Sequence, residues 1–387
     1  MAKVKKIAGA ILAVALGVAL LPSAGVTAEK SEATVSPSTD QIIVKMKPSK
    51  VDQTATVAAK SGATVKKSID SDLKVLKVSD GNVGDVLAKL KADPNVEYAE
   101  LDPIMTISLT PNDPSYSSQY HLTKIQAPAA WDITTGSTST KIAIIDTGVD
   151  LTHPDLSAKI IPGYDFANGD SVAQDDHGHG TQVAGVAAAS TNNYQEGAGV
   201  DWQARIMPIK VVNAGTPGYT SDVILGVKWA AANGAHIILM SLDSSLYNAV
   251  LQTEINNAWA AGAVIVAPAG NSGNTVRRYP AGYNNVVAVA WTDSADNKSS
   301  YSTYGSWVHV AAPGTSIRST RLGGGMSNWS GTSMAASVVA GLAGLVRANN
   351  PSLSNAGIVN KIFTGADPIT GTGVWWRYGR VNALNSL

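Results

Sequence analysis

The longest apolar stretch of the mature-length chain, Met334 to Val346, is apolar on every helical face and ends before Asn349-Asn350-Pro351. That pattern predicts a buried helix and not an amphipathic surface one. Five shorter apolar runs, Lys141–Ile145, Arg205–Val212, Ala235–Leu242, Ala263–Ala267 and Val286–Ala290, suit parallel strands buried on both faces. Helical segments lie between them: one capped by Ser221 and ending at Asn233-Gly234, another from Leu246 to Ala261 ending at Gly262. Helix, glycine stop and strand follow one another twice, so right-handed crossovers and an α/β, three-layer, parallel-sheet domain are expected. In such a sheet chemistry collects beyond the carboxyl ends of the strands.

The pattern before residue 109 is different. Strands at Gln41–Met46, Thr64–Ser68, Leu73–Val78 and Val96–Glu100, with helices near Val51–Lys60 and Val83–Leu90, predict a small α+β unit of ferredoxin-like order. Composition changes at the same place. Residues 29–108 hold 11 Lys and 12 Asp or Glu, whereas the 279 that follow hold 15 Lys or Arg, 17 Asp or Glu and all nine Trp. Further upstream, Lys3, Lys5 and Lys6 precede the apolar Ile7–Leu21, then Pro22 and Val26-Thr27-Ala28. That is the layout of a secretory signal peptide cleaved after Ala28, because the apolar run is too short and too rich in Ala and Gly for a membrane anchor. Three segments are therefore expected: 1–28, 29–108 and 109–387.

Composition narrows the function. Hydrophobic residues make up 44% and charged ones 15%, a globular balance. A net charge of zero gives nucleic acid no electrostatic footing. Zero cysteines exclude disulfides, thiol catalysis and Cys-based zinc sites.

Ser333, in Ser330-Gly331-Thr332-Ser333-Met334-Ala335, enters the buried helix from a tight turn. There unpaired backbone N–H groups and the positive helix end favour attack by its hydroxyl on a carbonyl. An N-cap serine is the plain alternative, and it gives way only if a base and an acid exist elsewhere. Asp146 follows the strand Lys141–Ile145 and is held by Thr147-Gly148. Aspartic proteases also use Asp-Thr-Gly, but they need two such loops, and this chain has one. His179, between Gly178 and Gly180-Thr181, leaves an imidazole face open, while His121, His153, His236 and His309 have no such setting. His177 and His179 with Asp176 lack a clear third ligand for zinc. Asn271, in Pro268-Ala269-Gly270-Asn271-Ser272-Gly273, is either a plain turn residue or an oxyanion donor. Acid, base, amide and nucleophile in this order, with α/β spacing, form a coherent constellation.

The chain here resembles the subtilisin-like serine proteases, within them the thermitase-type secreted branch. The carrying stretches are Ile144-Ile145-Asp146-Thr147-Gly148-Val149, His153-Pro154-Asp155-Leu156, Gly178-His179-Gly180-Thr181, Met240-Ser241-Leu242, Ala269-Gly270-Asn271, Tyr279-Pro280-Ala281, Ser330 to Ala335 and Gly379-Arg380-Val381-Asn382-Ala383. The likeness runs from about Thr110 to the C-terminus, and 41–103 resemble the family's inhibitory propeptide. It implies a secreted, extracellular endopeptidase made as a self-processing precursor and acting as a monomer on protein or peptide substrates, with no nucleic acid partner and no membrane after signal removal. Its propeptide would act as intramolecular inhibitor and folding aid. Ser333 would be the nucleophile, His179 the base and Asp146 its orienting acid, with Asn271 and the Ser333 N–H binding the oxyanion. Ser241, Leu242, Asp243, Ala269, Gly270 and Arg278 would line the primary specificity pocket, Ser241-Leu242 pairing with substrate as an added strand. The resemblance also implies structural Ca2+ at one or two sites. One would use Asp113, Asp155 and Asn193 with carbonyls near Ser190, Gln195 and Gly197. The other would use Asp165, Asp170 and Gln174 with backbone oxygens near Val172.

Several positions depart from the family pattern. Gln182 replaces His, Asp243 replaces Gly, Pro268 replaces Ala, Arg278 stands where a smaller residue is usual, and Ser337-Val338 replace Pro-His. Asp243 and Arg278 could face each other and narrow the pocket, Arg278 could receive an acidic side chain, or both could point to solvent. These changes motivate an alternative: a catalytically weak or silent protein-binding pseudoprotease on the same fold.

Overall fold

A computed structural model of the protein describes residues 40–79, 82–103 and 109–387. The expected signal peptide and most of the expected maturation segment lie outside the described residues. The described chain forms two compact units that part between 103 and 109.

In the first unit, β1 (Gln41–Met46), α1 (Thr54–Ser61), β2 (Ala63–Ser68), β3 (Leu73–Val78), α2 (Val83–Ala92) and β4 (Val96–Leu101) build an antiparallel sheet in the order β2-β3-β1-β4. β1 alternates between buried and half-buried positions. Its buried Ile42, Val44 and Met46 join Val57 of α1 and Leu90 of α2 in one core. The period-two strand and the helices' apolar stripes thus meet on one face.

The second unit begins with the short helices α3 (Tyr120–Lys124) and α4 (Ala127–Trp131) and then alternates strand and helix. The strands are β5 (Lys141–Asp146), β6 (Tyr164–Asp165), β7 (Arg205–Lys210), β8 (Ile237–Met240), β9 (Val264–Pro268), β10 (Val287–Thr292), β11 (Val310–Pro313), the hairpin β12 (Ile317–Thr320) and β13 (Met326–Trp329), and β14 (Gly379–Arg380). The helices are α5 (His179–Ala188), α6 (Thr220–Ala232), α7 (Ala249–Ala260), α8 (Thr332–Asn349), α9 (Asn355–Thr364) and α10 (Ala383–Ser386). The main sheet runs β14-β11-β10-β9-β8-β5-β7-β6, and its ladders are parallel.

Alternate residues of β5 serve different cores. Ile142 and Ile144 pack with Val338 and Leu342 of α8, while Ala143 and Ile145 pack with Val227 of α6 and Ile255 of α7. Helices therefore cover both faces, which is why these strands read as continuous apolar runs. The layers are those expected from the sequence.

The differences are local. α6 starts at Thr220 after Tyr219, which makes no side-chain cap, so Ser221 lies inside the first turn instead of capping it. α7 starts later than expected because Asn248 caps it through the Leu251 N–H. β6, β11, β14 and the β12–β13 hairpin are too short to announce themselves by periodicity. No helix among the described residues is long and apolar enough to cross a membrane.

Candidate active site

Parallel strands deliver several of the expected residues to their carboxyl ends. β5 ends on Asp146, β8 stops just before Ser241, and β9 stops just before Ala269-Gly270-Asn271. His179 is the first residue of α5, earlier than the expected helix start at Gln182, and Ser333 is the second residue of α8.

Asp146 is 2% exposed, and a buried carboxylate needs partners. It accepts from the Thr147 N–H at 2.7 Å and from His179 Nδ1 at 2.8 and 2.9 Å. Because a carboxylate only accepts, Nδ1 carries the proton and Nε2 presents its lone pair. Burial opposes charge on His179, but the Asp146 charge and hydrogen bond outweigh it, with Asp175 adding to them, so the imidazole pKa is raised.

On the opposite side, Asn271 Oδ1 accepts from the Thr332 N–H and from Thr332 Oγ1, both at 2.9 Å. Those two bonds fix which end of the amide is free. Its Nδ2 group lies 3.4 Å from the point a Cβ on Gly331 would occupy, beside the entry to α8. Thr332, unrecognised in the sequence, is the hinge of this arrangement, since its hydroxyl also accepts from the Gly270 N–H at 3.2 Å.

Trp329, at the end of β13, flanks the imidazole. Its ring lies 5.6 Å from that of His179 and 6.2 Å from that of His177. Among the described residues no hydrogen bond joins His179 Nε2 to Ser333 Oγ; such contacts commonly tighten only when substrate binds. Ser337 donates its hydroxyl to the Ser333 carbonyl at 2.8 Å.

Asp175 is a second residue the sequence reading passed over. It is 4% exposed and accepts from Thr147 Oγ1 at 2.9 Å, from the His177 and Gly178 N–H groups at 2.9 Å each, and from Thr181 N–H and Oγ1 at 2.9 and 2.5 Å. Its neighbour Asp176 pairs with Lys210 at 2.6 Å. Among the described residues no group of three or more His, Cys, Asp or Glu is placed to hold a metal.

Ser241 and Leu242 line a cavity of about 320 Å³ together with Asp146, His179 and Val212. Leu242 also borders a second cavity of about 230 Å³ walled by Val223, Leu251 and Tyr279. Asp243 and Arg278 face each other, Nε to Oδ2 at 2.5 Å, over Gly270; Ala269 beneath is fully buried.

The first oxygen-rich set is one network. Asp113 accepts from the Asn192 and Asn193 N–H groups, and Asp155 from Asn193 Nδ2 and the Gly197 N–H. Ser190 N–H donates to the Asp155 carbonyl and Gln195 N–H to Asn193 Oδ1. Asn192, Tyr194 and Glu196 hold left-handed φ of 61, 63 and 32°. Non-glycine residues in that region cost about 1–3 kcal/mol each, and something in the loop must offset them. The carboxylates of Asp113 and Asp155 suit a hard cation by chemical type, and here each of their oxygens accepts an N–H. The second set is looser. Asp165 caps Asn168, Asp170 Oδ1 accepts from the Val172 N–H, and the Gln174 oxygen is taken by the Leu151 N–H.

The chain is similar to known proteins over both of its units. The profile of the subtilase family matches residues 137–380, and that of the fervidolysin N-terminal prodomain matches 23–102. Thermitase from Thermoactinomyces vulgaris is 50% identical over 279 residues, covering 72% of this chain and 99% of thermitase. A thermophilic serine proteinase from Bacillus sp. (strain AK1) is 43% identical over 320 residues, 82% of this chain and 79% of that one. A solved protease structure from Pseudoalteromonas arctica PAMC 21717 superposes with a TM-score of 0.67 at 31% identity, covering 72% of this chain and 98% of the other.

Proposed function

The chain belongs to the subtilase family, in its thermitase-type branch, and is a serine endopeptidase with an N-terminal prodomain; on that premise we propose that Asp146, His179, Ser333 and Asn271 carry its chemistry. The observation that carries the assignment is the buried Asp146 carboxylate gripping His179 Nδ1 at 2.8 Å, which leaves Nε2 as the base. Ser333 Oγ attacks the scissile carbonyl while its proton passes to His179 Nε2. The developing oxyanion is met by Asn271 Nδ2 and the Ser333 N–H at the positive end of α8. Collapse transfers the proton from His179 to the leaving amine and leaves an acyl-enzyme, which water opens by the reverse sequence. Ser241 and Leu242 border the substrate, with Asp243, Ala269, Gly270 and Arg278 forming the wall beside Asn271.

The protein is exported and made as a precursor whose prodomain inhibits it and assists its folding. Calcium binds the Asp113, Asp155 and Asn193 loop with carbonyls of Ser190, Gln195 and Gly197; it supplies charge neutralisation there and takes no part in the chemistry. For the Asp165, Asp170, Val172 and Gln174 set, the present contacts favour ordinary turn chemistry.

The test compares wild type with Ser333→Ala. Wild type hydrolyses casein and is cut between about residues 104 and 110, whereas Ser333→Ala is inert and stays full length. Equal casein hydrolysis by the two would refute the assignment, and identical processing would hand maturation to another protease.

A further inference from the structure

Gly270 sits at φ 107°, directly before Asn271, and presents a bare backbone at the wall beside the nucleophile. That bare face is already covered. The point where a Cβ would stand is 2.9 Å from Arg278 Cγ, 3.3 Å from Thr303 Oγ1 and 3.4 Å from Asp243 Oδ2. Arg278 donates from Nε to Asp243 at 2.5 Å, and the two side chains are only 24 and 31% exposed. The pair stands on a tied backbone: Ser244 N–H donates to the Tyr279 carbonyl at 2.7 Å and Tyr279 N–H to the Ser244 carbonyl at 2.9 Å. Gly282 N–H holds the Arg278 carbonyl at 2.7 Å from the other side. Two bonded backbone segments thus press a charge-assisted pair onto Gly270.

Gly270 directly precedes Asn271 and its N–H donates to Thr332 Oγ1, next to Ser333, so this wall adjoins the proposed oxyanion site. We infer that the Asp243–Arg278 ion pair fills the recess above Gly270 and restricts the residue on the acyl side of the scissile bond to Gly, Ala or Ser. The inference rests on the protease reading above. A larger side chain must part the pair and displace both side chains from Gly270, losing their hydrogen bond. A carboxylate meets the charge of Asp243, and an ammonium meets that of Arg278. Pockets that discriminate by one methylene do so by about 10- to 200-fold, so a filled recess gives at least that.

The experiment is a peptide p-nitroanilide series differing only in the residue before the scissile bond (Gly, Ala, Ser, Leu, Phe, Glu, Lys), with casein alongside. Wild type is expected to favour Ala over Phe and Leu by at least about tenfold in kcat/KM. Asp243→Gly frees the guanidinium and raises the Glu-to-Ala ratio at least tenfold. Asp243→Gly with Arg278→Ser opens the recess and brings Phe above Ala. Each ratio is internal to one preparation, so partial misfolding does not alter it, and the wild-type series alone is decisive. Wild type that cleaves casein yet takes Phe or Glu as readily as Ala overturns the inference and leaves the protease reading standing. Failure to cleave casein or any peptide overturns both.

Discussion

Asp175 and Thr147 are joined by a 2.9 Å hydrogen bond that ties the turn holding Asp146 to the first turn of the helix carrying His179. The same carboxylate takes Thr181, His177 and Gly178, so it sets the spacing of acid and base without touching substrate. Asp175→Asn is expected to lower kcat by about 10- to 100-fold with little change in KM, as loss of a positioning partner does. Because the Asp175 charge helps raise the His179 pKa, the acid limb of the rate profile should also move to lower pH. An unmoved limb would reduce Asp175 to a structural role.

The raised His179 pKa has its own signature. Catalysis requires neutral Nε2, so kcat/KM should fall on acidification with a midpoint above the ordinary 6.5. In stability the sign is opposite. A raised folded pKa stabilises fully below the unfolded value and loses that contribution as pH rises through the folded one. His179→Gln should therefore lower Tm more at pH 5 than at pH 9, as read by calorimetry.

Asn271 presents its N–H₂ because Thr332 holds its oxygen. Asn271→Leu should cost about 10²- to 10³-fold in kcat, with KM nearly unchanged, since the donor acts on charge that exists only in the transition state. Thr332→Val removes one of the two donors to the Asn271 oxygen and the acceptor of the Gly270 N–H, keeps the backbone N–H bond, and should show a milder kcat loss. A Thr332→Val enzyme with wild-type kcat would show that the backbone N–H alone orients Asn271.

Lys159 is 6% exposed, and its ammonium donates to the Ala189, Asp201 and Trp202 carbonyls at 3.4, 3.1 and 2.9 Å. Burial pulls its pKa down and pushes that of fully buried Asp201 up. Lys159→Met leaves three carbonyls without a donor and removes the nearby positive charge that favours an ionised Asp201. The expected loss is about 3–5 kcal/mol, on the order of 10 °C in Tm. Adding Asp201→Asn should recover part of it; no recovery would mean the carbonyl contacts carry the whole effect.

Excess chelator should lower the Tm of the mature protein, because an ion that binds only the folded state stabilises by about 2.7 kcal/mol at a hundredfold excess over Kd. Asp113→Asn with Asp155→Asn should abolish the response. A chelator shift that persists in this double variant would place the cation elsewhere.

The proposed catalytic residues were legible by setting: Asp146 closes an apolar strand before Thr147-Gly148, His179 lies between two glycines, and Ser333 opens the apolar helix α8. Continuous burial of β5 on both faces likewise exposed the layer order. Contacts between distant loops were not legible. Asp243 and Arg278 admitted three arrangements, and only the Ser244–Tyr279 backbone tie selects one. Asp175 was hidden beside Asp176 because two adjacent carboxylates look alike until folding buries one and pairs the other with Lys210. Ser221 looked like a cap by residue type, yet the helix began a residue earlier.

The ladder order of the large sheet sets a clock as well as a shape. Strand β5 must bring Lys141 against Arg205 and Ile142 against Ile237 before any ladder bond compensates for closing such long loops. A chain built this way reaches its native basin late and, once there, leaves it slowly. The lifetime of the mature enzyme among other proteases is then governed by its unfolding rate more than by its equilibrium stability.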